Sequence, residues 1–376
     1  MRDPAGSSPP GWAEDGVAGT HLRLHSQYDP KLSSGRALTN SAQQPIEGAQ
    51  PLQVDCAVGS VYSGRRRIAS GLGREIASRP AIGCTRDMTW DIDGKRVLLT
   101  GGTTGIGRAT VGALTSMGAE VIFTARKPAD GEAVVAELEA SGASGSVTHR
   151  RLDLDDLSSV RSFGAAFRDE FDRLDVLINN AGVVLSERRA TVDGHEFTFG
   201  VNHLGHFQLV NEVLPLLEAS APARIVIVAS DAHQFTSGLK WDDLNASKGR
   251  YGVAKGMAVY SRSKLANMLH SRELSRRLAD ADITVNCLHP GAVRTRIGRD
   301  GEATRISGIV WPVVGRFFIT PEKGARTSVW AATAPELKGV TGEFFVKQKV
   351  KKPRKTALDD AAAARLWAVS EELTKA

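Results

Sequence analysis

Tyr260 and Lys264 stand four positions apart in the run Tyr-Ser-Arg-Ser-Lys-Leu-Ala-Asn that ends at Asn267. On a helix that spacing puts both side chains on one face. A phenol near its ordinary pKa of about 10 exchanges protons poorly at neutral pH. A lysine ammonium one turn away favours the phenolate and predicts a lowered pKa. Far upstream, Thr100-Gly101-Gly102-Thr103-Thr104-Gly105-Ile106-Gly107 lies between an apolar run and a helical pattern. There glycine allows a tight turn and lets the backbone approach a pyrophosphate, whose charge then faces a helix N-terminus. A proton donor, a cation and a dinucleotide cradle together predict hydride transfer between a nicotinamide and a carbonyl or alcohol.

Other residues compete for attention. Tyr251 and Lys255 repeat the four-residue spacing, yet each is followed by glycine, which weakens a helix. Tyr260 leads into a long amphipathic pattern and is preferred. Ser230 follows the strand-like run 224–229. Its hydroxyl either forms a turn or holds a substrate oxygen, and position alone leaves both readings open. His203 and His206 lie three apart with no third ligand at metal spacing, so no metal is expected. Asp231 and His233 follow Ser230 without a Gly-x-Ser-x-Gly elbow, which argues against a hydrolase triad. Cys287 reads as a core residue and Trp367 as an anchor for the last helix.

Positioning these groups requires alternating strands and helices. Apolar runs at 96–100, 121–124, 146–152, 176–178, 224–229, 283–287 and 342–346 predict strands. Helical periods cover 106–117, 130–140, 157–171, 196–217, 261–278 and 361–373. The implied architecture is α/β: one doubly wound Rossmann-type parallel sheet with helices on both faces, over residues 88–376. Its ligand crevice would lie at the carboxyl ends of the strands. Residues 1–87 are rich in Gly, Ser, Pro, Ala and Arg without a sustained period, and predict a disordered extension. The second strand ends in Thr124-Ala125-Arg126-Lys127, with no carboxylate to hold ribose hydroxyls. A guanidinium binds a phosphate in bidentate fashion, so Arg126 predicts NADP over NAD.

The bulk composition sets limits. Of 376 residues 41% are hydrophobic, enough for a sizeable core, and the net charge is +6. The dense basic clusters, Arg65-Arg66-Arg67 and 347–355, lack interleaved aromatics and read as solvated surface rather than nucleic-acid contacts. The three cysteines, Cys56, Cys84 and Cys287, form no Cys-x-x-Cys pair, which predicts neither a disulfide framework nor a zinc site. No apolar run approaches the roughly 20 residues that span a bilayer. With no basic-then-apolar leader, a cytoplasmic location is expected.

The Gly-x-x-x-Gly-x-Gly turn with Tyr-x-x-x-Lys downstream resembles the short-chain dehydrogenase/reductase family, from about residue 95 to the C-terminus. The resemblance implies roles for further residues. Asn180, Ala181 and Gly182 would brace the sheet and line the cofactor. Asp153 and Leu154 would lie against adenine. Pro290 and Gly291, then Val293 and Thr295, would hold the nicotinamide carboxamide. Ser230 would polarise the carbonyl, Lys264 would also reach the nicotinamide ribose, and Asn202 would hold a water beside that lysine. Segments 202–207, 260–267 and 365–370 look most like the retinol dehydrogenase and WW-domain oxidoreductase branch, which implies lipophilic alcohols, aldehydes or ketones. The apolar stretch 297–318 is expected as a lid over such a substrate, with an ordinary packing helix as the alternative. Pairing of copies through exposed helix faces stays open. Two rival readings are a cofactor-sensing binding protein, which needs no Tyr260 or Lys264, and a light-driven tetrapyrrole reductase.

Overall fold

A computed structural model describes residues 90–291 and 319–375. The expectations for residues 1–87, for Val293 and Thr295, and for the lid at 297–318 lie outside the described residues.

Eight strands form one sheet in the order β3-β2-β1-β4-β5-β6-β7-β8. In chain order they are β1 (Arg96–Leu99), β2 (Glu120–Ala125), β3 (Ser146–Arg151), β4 (Val176–Asn179), β5 (Ala223–Val228), β6 (Ile283–His289), β7 (Phe344–Val346) and β8 (Lys349–Val350). The first seven run parallel and β8 turns back antiparallel on β7. The order reverses between β1 and β4, which opens a crevice at their carboxyl ends.

Burial on both faces explains why the strands read as continuous apolar runs. Leu98, Ile122, Leu177 and Ile225 point to one face. They meet α3 (Leu157–Glu170), α5 (Gly205–Ala219), α6 (Val253–Arg277) and α8 (Asp360–Thr374) there. Val97, Leu99, Val121 and Phe123 point to the other face. They pack on α1 (Gly105–Ser116), α2 (Pro128–Ala140) and α7 (Pro321–Thr333). Successive residues of one strand thus serve two separate cores.

Four elements differ from the sequence expectation. The helix bearing Tyr260 begins at Val253, not near residue 261, and contains Gly256. A Cβ there would stand 2.0 Å from the Leu185 carbonyl oxygen, so close backbone approach outweighs helix propensity. The pattern at 196–217 is not one regular helix: α4 (Phe197–Phe199) passes through a π turn at Gly200–Leu204 into α5. Finally, α7 and β8 had no clear period. Helix α7 is held by Thr320, whose side chain accepts from Lys323 N, and by buried Arg224, which donates to the carbonyls of Ala331 (3.2 Å) and Ala334 (2.8 Å).

Candidate active site

The glycine turn closes over contacts too tight for side chains. Gly101 (φ +73°) and Gly105 (φ +58°) adopt left-handed conformations. A Cβ on Gly107 would stand 2.0 Å from the Gly101 carbonyl oxygen and 2.6 Å from Asn180 Nδ2. Thr104 begins α1 in extended conformation without a side-chain cap, and the first turn holds no acidic residue. The first amides of α1 therefore face the turn, next to Thr103, Thr104 and Ile106, in the arrangement that suits a phosphate.

Thr100 joins this turn to the next strand. Its hydroxyl accepts from the amides of Asn180 (2.9 Å) and Ala181 (3.0 Å) and lies 2.8 Å from His206 Nε2. His206 Nδ1 lies 3.1 Å from the Asn202 carbonyl oxygen, which can only accept. Nδ1 therefore carries the proton, and Nε2 accepts from Thr100, whose one donor and two acceptor positions are all used. One chain of bonds runs from the glycine turn through His206 to the π turn that bears Asn202. The sequence weighed His206 only as a metal ligand. Its position four residues after Asn202, in a helix facing the Thr-Gly turn, was the available signal.

Asn202 is fully buried and clamps the strand end after β4. Its Oδ1 accepts from Val183 N (2.7 Å), while Nδ2 donates to Val183 O (3.0 Å) and Ser263 Oγ (3.0 Å). Lys264, also buried, donates from Nζ to the Val228 carbonyl at 3.0 Å. A methyl on Gly182 would stand 3.3 Å from Lys264 Nζ and 3.4 Å from Asn202 Oδ1. These three residues thus converge on one small gap.

Tyr260 and Lys264 share a face of α6, and Ser230 at the end of β5 lies near enough for its hydroxyl to favour the Tyr260 phenolate. Ser230 Oγ also accepts from Ala232 N at 3.1 Å. The expected acidification of the phenol is absent from this structure. Burial raises the Tyr260 pKa above its ordinary value, and the nearby Ser230 hydroxyl opposes this. Lys264 Nζ lies 5.8 Å from the Tyr260 ring centroid and is turned to Val228. Burial pushes Lys264 down to about 8. The spacing placed the pair correctly; desolvation, invisible in spacing, sets their proton affinities.

The decoy pair has structural partners. Tyr251 donates to buried Glu196 (3.2 Å), whose other oxygen accepts from Phe199 N (2.7 Å) and caps α4. Lys255 donates to the carbonyls of Lys248 and Gly249. Arg126 is exposed just past β2, where its charge lowers the pKa of Asp155. Burial, with the neighbouring Asp153, nevertheless raises Asp155 to about 6. Asp153 lines a pocket past β3 with Arg151, Asp155 and Phe163. Leu154 is buried, and its carbonyl would stand 2.5 Å from a Cβ on Gly205. Pro290 and Gly291 (φ +97°) leave β6 at the same end of the sheet.

His203, His206 and His270 are all buried; His203 and His270 pack on each other and on Phe207, and His270 also meets Trp367. Burial holds His206 at about 4 and His270 at about 3, with His203 well below its ordinary value. Unfolding returns each to about 6.5. The unfolded chain therefore binds more protons below that value, so stability is full above it and falls as pH drops toward about 4. The unfolding free energy from urea titration should decrease from pH 7 to pH 5, by on the order of 2 kcal/mol per histidine. A flat profile would contradict this. Replacing His206 by phenylalanine strands Thr100 and the Asn202 carbonyl, and should cost about 1–3 kcal/mol in a thermal melt. The same variant should raise the KM for the nucleotide more than that for the carbonyl substrate.

Residues 95–305 match the family described as short chain dehydrogenase. Retinol dehydrogenase 14 of Mus musculus is 43% identical over 289 residues, covering 74% of this chain and 85% of that protein. Retinol dehydrogenase 13 of Homo sapiens is 41% identical over 289 residues, covering 75% and 85%. Among solved structures, an uncharacterized protein from Mycobacterium paratuberculosis superposes with a TM-score of 0.58 at 35% identity, covering 76% of this chain and 94% of the other. The Pseudomonas aeruginosa RhlG/NADP active-site complex superposes with a TM-score of 0.53 at 26% identity, covering 68% and 95%. Taken with the glycine turn and the Tyr260–Lys264 face, these matches make the chain a member of the short-chain dehydrogenase/reductase family, in its retinol dehydrogenase branch, and an alcohol/carbonyl oxidoreductase that uses a nicotinamide dinucleotide.

Proposed function

We propose that the chain is an NADP-dependent oxidoreductase of lipophilic alcohols, aldehydes and ketones, with Tyr260 as its acid/base group. The convergence of Ser230, at the end of β5, and Tyr260, on α6, carries this reading, because it brings two hydroxyls to one substrate oxygen. The dinucleotide, when bound, supplies the hydride. Gly101, Gly105, Gly107 and the uncapped start of α1 fit its pyrophosphate. Ser230 holds the carbonyl oxygen and steadies the charge that develops there. Tyr260 gives its proton to that oxygen as the carbonyl carbon is reduced. Lys264, released from Val228, lowers the phenol's proton affinity, and Asn202 holds the water through which the proton is replaced. The gap shared by Gly182, Lys264 and Asn202 supports that last role.

Arg126 supports NADP, since an exposed guanidinium at this strand end suits a 2′-phosphate. Exposed Phe235, Val253 and Met257 flank the elements that carry Ser230 and Tyr260, and support an apolar substrate. The similar proteins are retinol dehydrogenases, which agrees with one. The test is loss of reduced-nicotinamide absorbance with NADPH against a panel of long-chain and short-chain aldehydes and ketones. Turnover confined to NADH, or to short polar carbonyls, would reject the finer reading. Arg126→Ala should raise the KM for NADPH by about 10- to 100-fold, the worth of a charge-assisted bond, and leave that for NADH nearly unchanged.

A further inference from the structure

We propose that the β7–β8 hairpin is a docking surface for an anionic lipid bilayer. The proposal stands apart from the choice of cofactor and substrate. Residues 347–355 carry six cations in nine positions: Lys347, Lys349, Lys351, Lys352, Arg354 and Lys355, all exposed. Lys351 pairs with Asp231 at 3.2 Å. Among the described residues, the other lysines of this segment meet no carboxylate.

Edge strands often carry a lysine that blocks pairing with another chain. One such residue would suffice, whereas here the charge extends beyond the paired positions on both sides of β8. The turn itself is built against preference. Lys347 (φ +51°) and Gln348 (φ +59°) occupy left-handed conformations in a two-residue connection where Asn-Gly is the easy choice. A strained lysine at a hairpin tip points to a use for its charge.

Placement and chemistry select the partner. Strand β7 runs parallel to β6, so the tip lies at the carboxyl rim of the sheet, where the crevice opens. Lys351 and Arg354 bind Asp231 and the Gln234 carbonyl, in the segment directly after Ser230. Val350 (58% exposed) lies among the cations, and Phe235 (80% exposed) follows Gln234. Five of the six cations are lysines, mobile point charges suited to a diffuse layer of headgroups rather than to one fixed phosphate. Residues 347–355 contain no aromatic residue, and Phe344 and Phe345 of β7 are buried, so no base could stack there. Exposed apolar side chains within a basic rim match the headgroup boundary of a bilayer.

The test is co-sedimentation of the full chain with vesicles of phosphatidylcholine, alone or mixed with phosphatidylglycerol. The chain should pellet with the mixed vesicles, remain in solution with phosphatidylcholine alone, and be released as salt is raised. Each lysine near such a surface is worth about fivefold in partitioning. The triple variant Lys347→Ala, Lys349→Ala, Lys352→Ala should therefore lose on the order of 100-fold. Replacing the same three by arginine should preserve binding. None of the three touches the site, so turnover on a soluble aldehyde should not change in either variant, which separates lost docking from lost folding. Equal pelleting with neutral vesicles would overturn the proposal. So would unchanged pelleting of the alanine variant, or tighter binding to an oligonucleotide that the alanine substitutions abolish.

Discussion

Tyr260→Phe should leave NADPH binding intact and lower turnover by about 10²–10⁴-fold, the range supplied by a positioned acid/base group. The substitution removes one oxygen and keeps the ring, so the packing of α6 on the sheet survives. What is lost is the hydroxyl proposed to protonate the substrate oxygen. Fluorescence titration with NADPH and single-turnover absorbance measure the two quantities separately. Unchanged turnover would remove Tyr260 from the chemistry. Lost binding would mean that the phenol is structural.

Lys264→Met should be nearly as inactive, yet no less stable. Burial pushes the ammonium down to about 8, from 10.5. The unfolded chain therefore holds this proton more tightly, and at neutral pH the buried charge costs the fold free energy. Stability conferred by relieving that cost is full below about pH 8 and vanishes as pH rises toward the unfolded value. Methionine fills a similar volume without charge, though it forfeits the bond to Val228 O, worth about 0.5–1.5 kcal/mol. Buried charges replaced by apolar groups often give gains of about 1–4 kcal/mol, so the melting temperature should hold or rise. Turnover should fall by about 10²–10⁴-fold. In the residual activity, the apparent pKa of the phenol should move further up, because burial already raises it and no cation remains to oppose that. A variant that is inactive only because it unfolds would show Lys264 to be structural.

Both predictions concern residues that were legible in the chain. Tyr260 and Lys264 were found by a four-residue spacing, and Gly101, Gly105 and Gly107 by a turn between a strand and a helix. Most strand and helix positions followed from period, because a sheet covered on both faces demands apolar runs bounded by turns. Reading failed where a distant partner overrode local preference. Gly256 argued against a helix, whereas the close Leu185 backbone is what requires glycine within it. The π turn at Gly200–Leu204 interrupts an amphipathic pattern that looked continuous. Helix α7 is tied by Arg224 of β5, more than 100 residues before its carbonyl partners. His206 looked like a weak metal ligand until Thr100, 106 residues away, was found at its Nε2.

By itself, the sequence determined the order of the elements, the glycine turn between β1 and α1 and the helix face that bears the phenol and the cation. Each of these rests on contacts within a turn or two of chain, which spacing reports directly. Tertiary structure decided the proton affinities, the bond chain from Thr100 to Asn202, and the placement of the basic hairpin beside Asp231. Those depend on desolvation and on groups brought together from distant segments, and neither quantity is written in the spacing of neighbours.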